Sequence, residues 1–399
     1  MKRTILFILS TAVLLATTSC RKHGNDLMNP NTAKGTTPLE QFDAIWNGIN
    51  NGYAYWDIDP TNWDSIYNVY LPRFEELEMH DTIATATLQR YYNDMCSRFI
   101  DHHMTIIVRN PRPAPSDKTT KFAIQPGKDE VSRRAYYHST FSDSLLIGCI
   151  EKYENTTLAY ASTDKGTALA CNIDGIAYLK LSGYMLTTAM SAADSASQAI
   201  ADIYRKFHSW LENDDLKGII IDNRGNGGGY FNDMNYVVAP FISQELQLGS
   251  TRRKEGLGRY DYTVWIPFAV QPADTLGTID VPIVALADIN SASMGEMTAY
   301  AIAQLPNGCF VGERTFGAQG ALISDFEVNY GGTFGDSQLQ ATSYYVYMSH
   351  DLFRTTDGQI YEGKGFAPTC EVPYDEEQLR IGNDVQLKAA INYITQEKN

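Results

Sequence analysis

The chain has 399 residues, of which 44% are hydrophobic and 20% charged, and it carries a formal net charge of −15 at pH 7. This composition predicts a globular protein, and the length is sufficient for two or three domains with a sizeable core. The acidic balance and the lack of a lysine- and arginine-rich stripe argue against nucleic acid as a partner.

The first nineteen residues have the pattern of an export signal. Lys2 and Arg3 precede an apolar run over residues 5–16, which is too short to span a membrane with room to spare. The small residues before Cys20 resemble the lipobox of bacterial lipoproteins, in which this cysteine is lipidated and becomes the mature N-terminus. The alternative is a plain secretory peptide with a chance cysteine. We therefore expect a signal peptide over 1–19 and a lipid anchor at Cys20 in the bacterial cell envelope, at the outer membrane facing the periplasm.

Five further cysteines are present, at positions 96, 149, 171, 309 and 370. Their odd number and the lack of C-x-x-C spacing predict neither a zinc site nor a scaffold held by disulfides. One or two disulfides stay open at this point.

The N-terminal part of the mature chain changes character at Pro38. Residues 20–37 are polar and rich in turn formers, which predicts a flexible tether. Apolar residues then recur at spacings of three and four as far as residue 100, which predicts a helical domain over 38–100.

A β-rich segment is predicted over 101–175. It contains short runs rich in threonine, tyrosine, isoleucine and valine, separated by proline, glycine and aspartate. The apolar run Ser144–Ile150 is among those we interpret as strands.

Strand and helix patterns alternate over 176–399, and alternation of this kind predicts an α/β fold with helices covering a sheet. The predicted strands are 176–181, 218–222, 282–287 and 309–312, and the predicted helices are about 194–212, 233–242 and 294–304.

Ser293 stands where a predicted strand turns into a helix, within the segment NSASMGE at 290–296. A serine on such a turn can project its side chain, and the first amides of the helix lie nearby to hold an oxyanion. This makes Ser293 a candidate nucleophile. The spacing Ser293-x-x-Glu296 is also that of a capping box, in which the serine would only satisfy a helix amide.

A glycine-rich turn, GNGGG at 225–229, follows the predicted strand 218–222. Glycine permits positive φ and a close approach of the backbone to a ligand, which suits a loop that presents an N–H to an oxyanion. The turn lacks the Gly-Lys-Ser/Thr ending of a phosphate loop, and its spacing does not fit the dinucleotide fingerprint. A plain flexible turn is the alternative.

Three segments, in this order and spacing, resemble signatures of the C-terminal processing peptidase and tricorn core protease family of serine peptidases. They are GIIIDNRGNGGG at 218–229, VPIVALADINSASMGEMTAYAIAQ at 281–304 and VGERTFGAQG at 311–320. The resemblance extends over nearly all of the mature chain. It implies a crotonase-like α/β core of the ClpP/crotonase superfamily and Ser293 as nucleophile. It also implies an oxyanion hole from the amide of Met294 and that of a glycine in the pair Gly227–Gly228. Many relatives carry a PDZ domain after the first histidine signature, but no clear carboxylate-binding loop is seen here, so we predict none.

The resemblance also bears on the base that activates the serine. The lysine-using branch of the family has its lysine directly after Thr-Phe-Gly, where this chain has Ala318, so that mechanism would need a distant lysine such as Lys364. The tricorn-like branch uses a histidine and a glutamate, and the matching positions are His103 and Glu362. The resemblance therefore implies a Ser293, His103, Glu362 triad without a metal or other cofactor.

Two adjacent histidines compete for the role of base. The family's glycine before the histidine is His102 here, and on a strand the two side chains would point to opposite faces. Asp101 could also orient a histidine. A histidine base with an ordinary pKa near 6.5 predicts activity that falls as the pH drops through about 6 to 7.

The sequence thus predicts a serine peptidase acting on peptides or unfolded proteins in the cell envelope. A catalytically inactive lipoprotein that binds peptide or glycan on the same fold is the main alternative. A structural envelope protein would leave the serine turn and the glycine turn explained only by descent.

Overall fold

The computed structural model describes residues 33–256, 258–273, 279–322 and 331–396. The chain divides into two compact units. The first comprises 1–127, 252–264 and 321–352, and the second 128–251, 265–320 and 353–399. These limits differ from the predicted domains 38–100, 101–175 and 176–399, because each unit is assembled from three separate stretches of chain. The predicted signal peptide, Cys20 and most of the tether lie outside the described residues.

The helices and strands follow one another in the order α1 (Pro38–Gly52), α2 (Trp63–Glu78), α3 (Thr85–Cys96), β1 (Thr105–Arg109), β2 (Lys121–Ile124), α4 (Pro126–Val131), α5 (Asp143–Ile150), β3 (Thr156–Thr163), β4 (Gly166–Ile173), β5 (Ile176–Leu181), α6 (Leu186–Ser191), α7 (Ser195–Leu211), β6 (Gly218–Asp222), α8 (Met234–Val237), β7 (Leu246–Arg253), β8 (Ile266–Val270), β9 (Ile283–Ala287), α9 (Met294–Ala303), β10 (Gly308–Gly312), β11 (Phe334–Gly335), β12 (Tyr344–Tyr347), β13 (Asp351–Thr355), β14 (Cys370–Glu371), α10 (Glu376–Arg380) and α11 (Val385–Gln396).

The first unit combines three helices with a four-stranded antiparallel sheet of order β11-β12-β1-β2. Helix α1 begins where the Thr37 hydroxyl accepts from the Glu40 amide, with Pro38 in the first turn. The apolar spacing predicted for this helix buries Phe42, which stacks on Phe74 of α2 with ring centroids 4.5 Å apart. The predicted helical character of 38–100 therefore reflects a real amphipathic pattern.

The second unit is built on a seven-stranded sheet of order β14-β10-β9-β6-β5-β4-β3. Strands β3, β4 and β5 pair antiparallel, and β5, β6, β9, β10 and β14 run parallel. Along β6, Ile219 and Ile221 join the core that contains α7 and α9, whereas Ile220 joins the core that contains α5 and α11. Helices thus cover both faces of the sheet, as the predicted α/β fold requires.

Two predicted elements are wrong. The run Ser144–Ile150 is not a strand but most of helix α5, which buries Leu146, Cys149 and Ile150 at helical spacing. The predicted helix over 233–242 is instead a single α-helical turn, α8, flanked by 3₁₀ turns at Phe231–Asp233 and Ala239–Phe241. Pro240 lacks the amide hydrogen that a continuous helix would need at that position.

The five cysteines in the described part of the chain are free; four are buried and Cys370 is exposed. Among the described residues no helix combines the length and hydrophobicity needed to cross a lipid bilayer.

Candidate active site

Ser293 occupies the turn between β9 and α9 in an unusual backbone conformation, with φ 53° and ψ −123°. A residue other than glycine with positive φ stores strain, which the surroundings must hold in place. The Ser293 amide donates to Ala318 O at 3.0 Å and to Glu296 Oε1 at 3.2 Å. Ser293 and Glu296 form a capping box, in which Glu296 Oε1 accepts from the Ser293 amide. A simple N-cap residue has an extended backbone, so the positive φ of Ser293 fits the nucleophile interpretation better than that of a helix cap alone.

The glycine turn lies directly against the serine turn. Gly228 has φ +103°, and a Cβ added to it would lie 2.5 Å from Ser293 Cβ and 3.0 Å from the Met294 nitrogen. Only glycine permits that approach. At Gly227, by contrast, an added Cβ would meet nothing within 4 Å.

The predicted oxyanion donors are not equally available. The Gly228 amide donates to Asn226 Oδ1 at 2.8 Å, so it is already engaged within the turn. In the described part of the chain neither Gly227 nor Met294 donates its amide to a backbone acceptor outside the regular helices and strands. Met294 is the first helical residue of α9, so its amide has no intrahelical partner. Within the predicted pair, Gly227 is therefore the better donor.

The Glu296 side chain connects the serine turn to the segment that follows β10. Its side chain is fully buried and accepts from Thr315 Oγ1 at 2.6 Å, from Ala318 N at 2.6 Å and from Gln319 Nε2 at 2.8 Å, besides the Ser293 amide. Burial raises the pKa of Glu296, and these donors oppose that rise. Because its neighbours act as donors, they favour the ionised carboxylate. The sequence identified Glu296 only as a capping partner, so this wider role was missed.

Glu362 lies in the same unit as Ser293 and is also buried. Its Oε2 accepts from the amides of Gln319 at 2.8 Å and Gly320 at 3.1 Å. Two carboxylates, Glu296 and Glu362, therefore hold successive parts of the segment 317–320 that carries Ala318. Lys364, the distant alternative base, is exposed to solvent.

His103 belongs to the first unit, where it follows Asp101 in a turn before β1. Asp101 Oδ1 accepts from the His103 amide at 2.9 Å and from Ser349 Oγ at 3.0 Å. The Ser349 oxygen lies 3.4 Å from His103 Nδ1, so a serine hydroxyl that donates to Asp101 can accept from Nδ1–H. This tautomer leaves Nε2 as the basic nitrogen. Nε2 is buried and, among the described residues, has no hydrogen-bond partner.

The two histidines do not lie on a strand, because β1 begins only at Thr105. The expectation that they point to opposite faces of a strand is therefore wrong. The contact of Asp101 with the His103 amide turns the backbone here, as aspartate often does two residues ahead of an amide. His102 is buried, and its backbone packs so closely on Gly127 that a Cβ there would lie 2.3 Å from His102 Cα.

Burial, and then the charge of His102, lowers the pKa of His103 to about 4. The imidazole is thus neutral at pH 7, as a general base must be. The expected loss of activity through pH 6 to 7 assumed an ordinary pKa, and the structure moves that window to lower pH.

The second unit therefore brings together Ser293, Met294 and the glycine turn. Glu362 lies in the same unit and binds the segment 317–320, which Glu296 also binds. His103 lies in the first unit, so its pairing with Ser293 and Glu362 stays a prediction. Sequence reasoning missed Ser349, which follows β12 in the segment YMSHD and carries no recognisable motif. Asn226 was also missed, because its role of holding Gly228 depends on the folded turn.

Comparisons with known proteins bear on the family and the fold of the chain. Residues 175–372 match the model of Peptidase family S41. The crystal structure of a candidate peptidase from Parabacteroides merdae has a TM-score of 0.61 and 19% identity, covering 90% of this chain and 96% of that one. Mature CPAF complexed with lactacystin has a TM-score of 0.57 and 11% identity, covering 90% of this chain and 99% of that one. At these identities the two structures show a common fold. A search of curated proteins found no match.

The family match spans β5, the glycine turn, the serine turn and Glu362, which are the features that carry the candidate chemistry. Residues 175–372 form a domain of peptidase family S41, and the protein is a peptide hydrolase.

Proposed function

We propose that the protein is a serine peptidase that cleaves peptides or unfolded proteins in the bacterial cell envelope, as an endopeptidase or a carboxypeptidase-like processing enzyme. The observation that carries this proposal is the serine turn. Ser293 is held at positive φ at the start of α9, and Gly228 packs against it. Such strain at a reactive side chain is typical of a functional site.

In the proposed reaction Ser293 Oγ attacks the carbonyl carbon of the scissile peptide bond while His103 Nε2 takes the hydroxyl proton. The negative charge that develops on the carbonyl oxygen is held by the amides of Met294 and Gly227. The C–N bond then breaks, His103 returns the proton to the departing amine, and an acyl ester remains on Ser293. Water, deprotonated by His103, hydrolyses that ester and restores the serine.

Glu362 is proposed to stabilise the protonated form of His103, which places the mechanism in the tricorn-like branch of the family. Support for this choice over a lysine base is chemical. Ala318 has no side-chain group that can accept a proton, and Lys364 is exposed to solvent. We further infer that the core of the second unit is crotonase-like, since the neighbouring parallel strands β6 and β9 carry the glycine turn and the serine turn at their carboxyl ends.

Placement in the envelope, with lipid on Cys20 and the folded part facing the periplasm, is also part of the proposal. It rests on the pattern of the first twenty residues. The protein would then be anchored to the membrane through its lipid.

The test compares cleavage of an unfolded protein by the soluble protein beginning at residue 24 with cleavage by Ser293→Ala, His103→Ala and His102→Ala. We expect the first two variants to be inactive and His102→Ala, the matched control, to retain activity. Phosphonylation of Ser293 by a fluorophosphonate, read as a rise in intact mass, tests the nucleophile without assuming a substrate. A wild-type protein that neither cleaves nor reacts would refute the proposal and favour a binding protein.

A further inference from the structure

The residues directly after the glycine turn form an exposed apolar patch. Tyr230 is 59% exposed, Phe231 is 40% exposed, and Ile266 on β8 is 44% exposed. Phe231 contacts Phe268 of β8, with ring centroids 4.7 Å apart. Ile266 and Phe268 are two residues apart on a strand and share one of its faces. Tyr230, Phe231, Ile266 and Phe268 are called the aromatic patch below.

The patch is held in a fixed position relative to the serine turn. The Tyr184 amide donates to Gly228 O at 2.7 Å, and the Tyr230 amide donates to Tyr184 O at 2.9 Å. An added Cβ at Gly229 would lie 2.0 Å from Tyr184 O, so the backbone is in close contact there as well. Both aromatic residues therefore leave the turn from a backbone that is bonded on either side of Gly229.

The next turn is equally constrained. Phe231–Asp233 form a 3₁₀ turn, and the Asp233 carboxylate accepts from the amides of Leu186, at 2.5 Å, and Thr187, at 2.8 Å. These bonds join the patch to the start of α6. Apolar side chains that are exposed together, on a backbone held by this many hydrogen bonds, are typical of a recognition site.

The patch is within reach of a chain bound at Ser293. An added Cβ at Gly228 would lie 2.5 Å from Ser293 Cβ, and Tyr230 is two residues farther along. Two residues of extended chain span at most about 7 Å. A substrate strand advances about 3.3 Å per residue, so a side chain within a few residues of the scissile bond can lie over the patch.

We infer that the aromatic patch is a substrate subsite that binds an apolar side chain of an extended, unfolded polypeptide near the scissile bond. This inference rests on the proposed function and specifies the substrate class. Folded proteins keep such side chains in their cores, whereas unfolded chains expose them beside an accessible backbone. The patch would thereby favour unfolded substrates.

The experiment measures binding in the Ser293→Ala background, where no acyl-enzyme can form. Two fluorescein-labelled, unstructured peptides serve as probes, one with leucine and phenylalanine and the other with serine at the same positions. Tyr230→Ser should weaken binding of the apolar peptide about tenfold, the effect of removing much of one buried aromatic contact, and leave the serine peptide unchanged. Tyr160→Ser is the matched control, since Tyr160 is 40% exposed on β3, the outer strand of the seven-stranded sheet.

Ile266→Ser is a second variant at the patch and should have the same selective effect. Thermal unfolding of each variant shows whether it is folded. Equal affinities of the parent and both patch variants for the apolar peptide would overturn the inference, and so would a change in oligomeric state without a change in peptide selectivity. A protein that keeps this selectivity but neither cleaves nor reacts with a fluorophosphonate would contradict the proposed peptidase mechanism alone.

Discussion

The close contact between the glycine turn and the serine turn requires that Gly228 have no side chain. A Gly228→Ala variant would place its Cβ against Ser293 and the Met294 amide, at a positive φ that costs an alanine about 1–3 kcal/mol. We expect loss of both peptide cleavage and phosphonylation of Ser293. Gly227→Ala is the matched control because its added Cβ meets nothing within 4 Å and its amide is kept. Equal activity of the two variants would contradict a close packing of the two turns.

Glu296 is expected to act through Ser293 rather than on the substrate. In Glu296→Gln the new NH₂ group would face the donors that the carboxylate now accepts from, including the amides of Ser293 and Ala318. Leaving buried hydrogen-bonding groups unpaired costs about 1–3 kcal/mol each, so the free energy of unfolding should fall by several kcal/mol. The rate of phosphonylation should fall as well. Denaturant unfolding and mass spectrometry measure the two effects, and the exposed Glu371→Gln is the control.

The pKa of His103 gives a prediction for the pH profile. Since burial lowers that pKa to about 4, the base is neutral down to that pH, and kcat/KM should fall on the acid side through about pH 4. In the unfolded chain the histidine pKa is near 6.5, so the unfolded state binds the proton first as the pH falls. This residue therefore lowers the free energy of unfolding progressively from about pH 6.5 to about pH 4. An acid limb centred near pH 6.5 would show that the imidazole is not buried in the working enzyme.

At the residue scale, the sequence could identify Ser293, the glycine turn and Glu362 because those residues lie in motifs of fixed spacing. It could not identify Ser349, which contacts His103 only after the chain has returned to the first unit. It could not separate the engaged amide of Gly228 from that of Gly227 either. That difference depends on where the Asn226 side chain folds back.

At the scale of secondary structure, Arg134 connects the segment between α4 and α5 to two active-site loops. Its guanidinium donates to Thr315 O at 3.2 Å and to Gly363 O at 3.0 Å, and it pairs with Glu130 at 2.8 Å. Arg134→Met would leave both carbonyls without this donor, one of them next to Glu362. We expect a fall in kcat rather than a rise in KM, with partial recovery in Arg134→Lys. Steady-state kinetics on one peptide measure both parameters, and unchanged kcat would indicate a purely structural contact.

Strands proved easier to predict than isolated turns of helix. Strands β5 and β6 have the predicted bounds, since mostly apolar runs of five or six residues that are buried throughout are typical of a parallel sheet. Helix α5 was mistaken for a strand because a short apolar run fits both structures. The deciding evidence is tertiary, since Leu146 and Ile150 are one helical turn apart and both pack on the sheet.

At the scale of the whole molecule, the predicted lipid anchor can be tested by fractionation. Wild-type protein expressed in a bacterium should sediment with the membranes and be released by detergent, since a lipidated cysteine partitions into the bilayer. Cys20→Ala should remove that lipid and move the protein to the soluble or unprocessed fraction, while Cys370→Ala, at an exposed thiol far along the chain, should behave as wild type. Identical fractionation of Cys20→Ala and wild type would exclude Cys20 as the anchor.

The limits of the family similarity do not coincide with the limits of the folded sheet. The region of family similarity begins at residue 175, but β5 pairs along its whole length with β4, which lies before it. It ends at residue 372, although α11, which covers one face of the sheet, comes later. A fragment cut at these similarity limits would expose a sheet edge and a core face together, and both promote aggregation. The residues that the family shares are therefore fewer than the residues that must fold together in this enzyme.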